Sequence, residues 1–299
     1  MKTISLIAVV ILFVLPPDLP EILFADASTI PPGSLFRQSA ARKLEREFAP
    51  CAESSEPTSQ KCRQLSRVSF LLLDARTGTV LASQWPNPEA PIPLGSLVKP
   101  ITALAYGERH QFRYPTHICR GAKSGCWLAR GHGKVELTTA IEYSCNSYFR
   151  MLTAEMTSAD IAPLAVSLGL RAPDPGASPI ALAGIGVDWQ NSPLRMAAAY
   201  LELVRRREQP GVRQIIEGME QSAEHGTGAE VDRALGRADT LVKTGTAACT
   251  HARRAPGDGF VIALLPATHP QILLMVRVHG VPGAQAARTA GEMLRRIEQ

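Results

Sequence analysis

Strand-length apolar runs lie at the two ends of this 299-residue sequence, and helical patterns fill the stretch between them. Val68 to Asp74 is dense in β-branched and large apolar residues, Arg76-Thr77-Gly78 supplies a turn, and Thr79 to Ser83 returns apolar, the pattern of a hairpin. Leu241 to Ala248, Gly259 to Leu265 and Gln271 to Val278 are short apolar runs bounded by turn formers. They predict three buried strands, and Ala284 to Ile297 predicts a closing amphipathic helix. Strands separated by helices in this way suggest one core in which both ends of the chain share a sheet. The expected fold class is α+β (mixed α/β).

Between the strands, Ser96 to Arg109 has helical spacing, with Leu97, Ile101, Leu104 and Ala105 forming an apolar stripe after a proline-rich loop. Thr138 to Met156 reads as a second helix, with a break near its middle. Ala159 to Leu168 and Pro193 to Arg207 are two further helical runs. With 45% hydrophobic residues the chain can bury a full core, as one large or two small domains, and no solenoid-length repeat is visible.

The N-terminus begins Met1-Lys2 and runs apolar from Ile4 to Leu15, shorter than a membrane span needs and suited to the core of a signal peptide. Ala25-Asp26-Ala27 offers a small-x-small cleavage site, while Pro16, Pro17 and Pro20 lengthen the spacer and keep an uncleaved anchor as the alternative. Residues 1–27 are thus expected to direct export, and 28–65 form an N-terminal segment. Without residues 1–27 the formal charge rises from +5 to +7. A basic exported chain suits the polyanions of a wall or membrane surface, and no nucleic-acid-binding spacing is present.

Six cysteines in an exported chain suggest disulfides. Cys51 with Cys62 and Cys119 with Cys126 are the locally economical pairs, each closing a loop worth about 3 kcal/mol in the chain-entropy model. A rival reading places Cys119, Cys126 and His132, with His110 or His117, around zinc. The spacing fits neither a standard finger nor a ribbon, so no metal is expected.

Three short strings carry the candidate chemistry: Ser96-Leu97-Val98-Lys99, then Ser144-Cys145-Asn146, then Lys243-Thr244-Gly245-Thr246. A serine hydroxyl needs an adjacent base to act as a nucleophile, and residues three apart share a helix face, so Lys99 is placed to serve Ser96. Burial and a second cation disfavour a charged lysine, and Lys243 can be that cation if the third string faces the first. Gly245, having no Cβ, is expected to let a substrate backbone lie against its strand.

In this order the three strings are the signature of penicillin-binding proteins and class A β-lactamases. The flanks sharpen the likeness: Pro93 to Pro100, His132-Gly133, Ser144 to Phe149, Gly184-Ile185-Gly186 leading to Ser192 through Tyr200, and Gly226-Thr227-Gly228. Residues 66–299 therefore resemble a penicillin-binding transpeptidase domain. The resemblance implies a β-lactamase/transpeptidase-like fold, a five-stranded antiparallel sheet flanked by helices plus an all-helical lobe, with the site between them.

It also implies roles. Ser96 is the nucleophile and Lys99 its base, Ser144 relays the proton to the leaving group, and Asn146 holds Lys99 and the substrate amide. Lys243 is the second cation, and Thr244 and Thr246 bind the substrate carboxylate. Backbone amides of Ser96 and Thr246 would form the oxyanion hole. The implied substrate is the D-Ala-D-Ala end of a peptidoglycan stem peptide, with β-lactams as covalent inhibitors and no cofactor.

The first-choice activity is a D,D-transpeptidase. A D,D-carboxypeptidase, a β-lactamase and a non-catalytic penicillin-sensing or wall-binding module are the alternatives. No Glu-x-x-Leu-Asn string follows the second motif to supply a lactamase glutamate. The chain has no room for a glycosyltransferase domain, and residues 28–65 are too few for a pedestal domain. Cell-wall or membrane protein partners that supply positioning are therefore expected.

Overall fold

The structure, a computed structural model, describes residues 34–48, 66–249 and 257–299. The expected export segment and the Cys51–Cys62 pair lie outside the described residues. No helix among the described residues is long and apolar enough to cross a membrane.

Five strands, β1 (Val68–Asp74), β2 (Val80–Gln84), β7 (Leu241–Ala247), β8 (Asp258–Leu265) and β9 (Ile272–His279), form one antiparallel sheet in the order β2-β1-β9-β8-β7. The two ends of the chain meet where β1 pairs with β9, Phe70 opposite Val276 and Leu72 opposite Leu274. Side chains alternate across a strand, so β1, β7, β8 and β9 each serve two cores, while the edge strand β2 buries only Ala82. Leu71, Leu73, Phe260, Ile262, Leu264 and Met275 enter the core shared with the helical lobe. Phe70, Leu72, Val261, Ala263, Leu274 and Val276 enter a second core behind the sheet. Burial on both faces explains why these strands read as continuous apolar runs rather than as alternation.

The rear core is closed by α1 (Ser34–Phe48) and by the C-terminal helix α10 (Gly283–Glu298). Ala40 and Leu44 of α1 join Ala286, Ala290, Met293 and Leu294 of α10 in it. Arg37 of α1 forms a buried ion pair with Asp74 at the end of β1, 2.8 Å between Nε and Oδ2.

The helical lobe on the other face comprises α2 (Lys99–Arg109), α3 (Leu137–Glu142), α4 (Asn146–Thr153), α5 (Ser158–Ser167), α6 (Pro179–Leu182), α7 (Pro193–Arg205) and α8 (Val212–Glu224), whereas α9 (Glu230–Leu235) packs on α10 and adds Val231 and Leu235 to the rear core. Two short pairs, β3 (Ile92–Pro93) with β6 (Gln190–Asn191) and β4 (His117–Cys119) with β5 (Gly133–Val135), trim its edges.

Two local features of the lobe set up the site. The segment expected to be helical from Ser96 opens instead as a 3₁₀ turn, Gly95–Val98, and becomes α-helical at Lys99. Residues three apart eclipse in a 3₁₀ turn, so Ser96 and Lys99 are stacked along one edge. Pro100 falls in the first turn of α2, where its missing N–H leaves no bond unmade. The break expected inside 138–156 is the Tyr143-Ser144-Cys145 turn between α3 and α4. There Ser144 adopts φ +49°, a left-handed conformation that disfavours a side chain.

Candidate active site

A cleft of about 410 Å³ opens between the sheet and the helical lobe, lined by Ser96, Ser144, Asn146, Thr244, Gly245 and Thr246. The structure thus brings residues of all three strings to one place. Strand β7 is an edge of the sheet, and the turn carrying Ser96 packs against it. Gly95 sits at φ +56°, and a Cβ there would run into the carbonyl oxygen of Thr246. From the other side, a Cβ on Gly245 would meet the Leu94 carbonyl at 2.7 Å and the Leu97 side chain at 3.0 Å. Gly245 is therefore required by contact with the Gly95–Val98 turn, a reason that stands beside the substrate approach expected from sequence. Tyr200, wholly buried on α7, donates its hydroxyl to Leu97 O at 2.8 Å and fixes that turn from behind.

Lys99 and Lys243 are both fully buried, an arrangement that a core without function would disfavour. Lys99 Nζ lies 2.8 Å from Ser144 O, 3.3 Å from Ser144 Oγ and 2.6 Å from Asn146 Oδ1, and stands over the Phe149 ring at 5.2 Å. Lys243 Nζ donates to Ser144 Oγ at 3.1 Å and to Thr244 O at 2.7 Å. Burial brings Lys99 down to about 7, against the raising influence of the Cys145 and Cys126 sulfurs. Lys243 is held well below the ordinary lysine value, first by burial and then by the charge on Lys99. Burial is thus the larger cause for both lysines, and it leaves Lys99 poised to exchange a proton near neutrality.

The remaining polar contacts order the rim. Thr244 Oγ1 donates to Thr227 Oγ1 at 2.7 Å, and Thr246 Oγ1 accepts from Gly283 N at 2.9 Å. Asn146 gives its carbonyl oxygen to Lys99, which leaves its amide N–H groups for the cleft. Sequence reasoning assigned no task to several residues that complete the walls: Trp127, Thr227, Ile185, Pro282 and Ala284. Thr227 sits in the quoted Gly-Thr-Gly string, which could have flagged it. Trp127 is 53% exposed and sits outside every motif.

Cys119 and Cys126, expected to pair as a local disulfide, are both free thiols in the structure. Each sulfur instead faces His132 Nδ1, at 3.5 Å.

A family model described as the penicillin binding protein transpeptidase domain matches residues 68–299, most of the chain and all three strings. The chain belongs to the penicillin-binding protein transpeptidase family. No curated protein matches this transpeptidase chain. Among solved structures it is similar to Pseudomonas aeruginosa PBP2 in complex with WCK 5153, with TM-score 0.68 and 17% identity over 87% of this chain and 73% of that one. It is similar to PBP2 from Helicobacter pylori, solved as a complex with MreC, with TM-score 0.68 and 17% identity over 89% of this chain and 62% of that one. The transpeptidase domain of Burkholderia pseudomallei penicillin-binding protein 3 shares 18% identity, with TM-score 0.61, over 88% of this chain and 91% of that one. These likenesses establish the transpeptidase fold.

Proposed function

We propose that the chain is a serine-type D,D-transpeptidase acting on the D-Ala-D-Ala end of peptidoglycan stem peptides through an acyl-enzyme on Ser96. The observation that carries this reading is the buried Lys99, hydrogen-bonded to the backbone and hydroxyl of Ser144 and to Asn146, one 3₁₀ turn from a serine that opens on the cleft.

In the proposed reaction Ser96 Oγ attacks the penultimate D-Ala carbonyl while its proton passes to neutral Lys99. The Ser144 hydroxyl, reached by both lysines, relays a proton to the leaving amine of the terminal D-alanine. Backbone N–H groups of Ser96 and of edge residue Thr246 receive the oxyanion, each worth a few kcal/mol in such sites. Thr244 and Thr246 hold the terminal carboxylate. An acceptor stem amine then attacks the Ser96 ester, loses its proton to the same lysine and releases Ser96. A carboxypeptidase differs only in using water as acceptor.

Among the described residues no carboxylate lines the cleft, which supports a long-lived acyl-enzyme over rapid β-lactam hydrolysis. The reading places the chain outside the cytoplasm, where stem peptides are crosslinked, directed there by residues 1–27 and working with cell-wall or membrane protein partners.

The test is intact-mass analysis after incubation with a labelled penicillin. A persistent adduct on Ser96 is expected, and a folded chain that never forms one would overturn the mechanism. Stem pentapeptide with and without an amine acceptor then separates the activities. D-alanine release without crosslinked product would assign carboxypeptidase instead.

A further inference from the structure

The acyl-transfer reading gives no task to the thiol at the centre of the Ser144-Cys145-Asn146 string. Cys145 is fully buried, and its sulfur lies 3.9 Å from that of Cys126. The β4–β5 hairpin delivers Cys119 on β4, Cys126 from its loop and His132 just before β5. His132 Nδ1 is 3.5 Å from the sulfurs of both Cys119 and Cys126. All four ligand atoms lie within 4.8 Å of one another.

These separations have a specific geometric meaning. Zinc binds cysteine sulfur at about 2.3 Å and histidine nitrogen at about 2.0–2.1 Å in a tetrahedron, which places S···N edges near 3.5 Å and S···S edges near 3.8 Å. The three stated distances match those edges. Hydrogen bonding is a poorer account of the cluster, because the Nδ1 of a neutral imidazole accepts at a single lone pair while two thiols approach it equally. His132 Nε2 is buried and has no partner, so the ring is oriented by its Nδ1 side and by packing against Trp127 and Tyr143.

We propose that Cys119, Cys126, His132 and Cys145 form a structural Cys₃His site for Zn²⁺. The expectation of no metal rested on the spacing of the hairpin residues alone. The fourth ligand comes from a different part of the chain, the turn between α3 and α4. Three thiolates and one imidazole select a borderline-soft ion over Mg²⁺ or Ca²⁺. Binding releases three thiol protons to solvent and leaves the imidazole neutral, giving a site with net charge −1. Four protein ligands leave no open position, so the ion takes no part in acyl transfer. Its effect is on position: Cys145 stands between Ser144 and Asn146, and the metal pins to the hairpin the turn that presents both residues to Lys99.

The experiment uses the full chain purified under reducing conditions. Elemental analysis and native intact mass are expected to give one zinc per chain, retained through desalting and released when an organomercurial modifies the thiols. Exchange with Co²⁺ is expected to produce the thiolate-to-cobalt absorption and visible bands of a tetrahedral sulfur-rich site. Cys119→Ser and Cys126→Ser are expected to lose zinc retention, and Cys119→His to keep it. A wild-type chain that carries no zinc and gives no tetrahedral cobalt spectrum would overturn the proposal, as would serine variants that retain zinc like wild type. The cobalt spectrum needs no variant to fold. None of these readouts depends on acyl transfer, so they stand apart from the penicillin test.

Discussion

Lys99 and Lys243 meet on one hydroxyl: their Nζ atoms stand 3.3 and 3.1 Å from Ser144 Oγ. Two ammonium groups sharing a buried oxygen repel strongly, so the pair favours a state in which at least one is neutral. Burial is what lowers both lysines first, and this repulsion adds to it at Lys243.

The pH dependence follows with a definite sign. Lys99 is brought to about 7, and only its neutral form accepts the Ser96 proton. The second-order rate constant of acylation by penicillin is therefore expected to rise through pH 7 and to level off above it. Measurement between pH 5.5 and about 8.5, a window set around that value, tests this. A flat profile would remove Lys99 from the role. Because the folded chain binds fewer protons than the unfolded one above pH 7, Lys99 also makes stability rise with pH there.

Ser144 separates chemistry from backbone strain. Ser144→Ala and Ser144→Gly both remove the shared hydroxyl and are expected to slow acylation by about 10²-fold or more. They should differ in stability, because only glycine is relaxed at φ +49°. The glycine variant is expected to be about 1 kcal/mol the more stable in thermal or denaturant unfolding, despite glycine's larger entropic cost elsewhere. Equal stabilities would show that the turn carries no strain.

Gly245→Ala distinguishes two reasons for one glycine. If its lack of a side chain served only the substrate, alanine would weaken substrate binding and leave unfolding unchanged. The 2.7 Å approach of a Cβ to the Leu94 carbonyl predicts a fall in stability of about 1–3 kcal/mol, with slower acylation as the Ser96 turn shifts. Differential scanning calorimetry beside acylation kinetics gives the answer.

Trp127 is expected to act on binding alone. It is half exposed at the cleft, and its indole N–H donates to Tyr143 O at 3.1 Å. Trp127→Ala should lower the second-order acylation constant several-fold with a melting temperature within a few degrees of wild type, since exposed positions contribute little to folding. An unchanged constant for both penicillin and stem peptide would exclude it from the binding surface.

Most of the sheet was legible because β1, β7, β8 and β9 are buried on both faces, so runs such as Phe260 to Leu265 stand out whatever their phase. The residues gathered at the candidate site were legible because Ser-x-x-Lys and Lys-Thr-Gly keep them within a few positions of one another. Helix α8 carries a readable stripe, Val212, Ile215, Ile216 and Met219, that falls outside the elements predicted from sequence. Trp127, Pro282 and Ala284 could not be placed, because they reach the cleft only through tertiary packing of separate loops. The same holds for Cys145 beside Cys126. Local economy suggested pairing Cys119 with Cys126, whereas packing gathers four donors from the hairpin and from the turn before α4.

Helix α1 lies upstream of the residues that match the family model, yet Ala40 and Leu44 are fully buried against the back of the sheet. Arg37 answers the buried carboxylate of Asp74, which also accepts from the amides of Arg76 and Thr77 in the first hairpin. A fragment cut at the family boundary would leave that carboxylate without its cation and strip one wall from the rear core. The smallest autonomously folding part of this chain is therefore longer at its front than its motifs suggest, and protein engineers should begin it before Ser34.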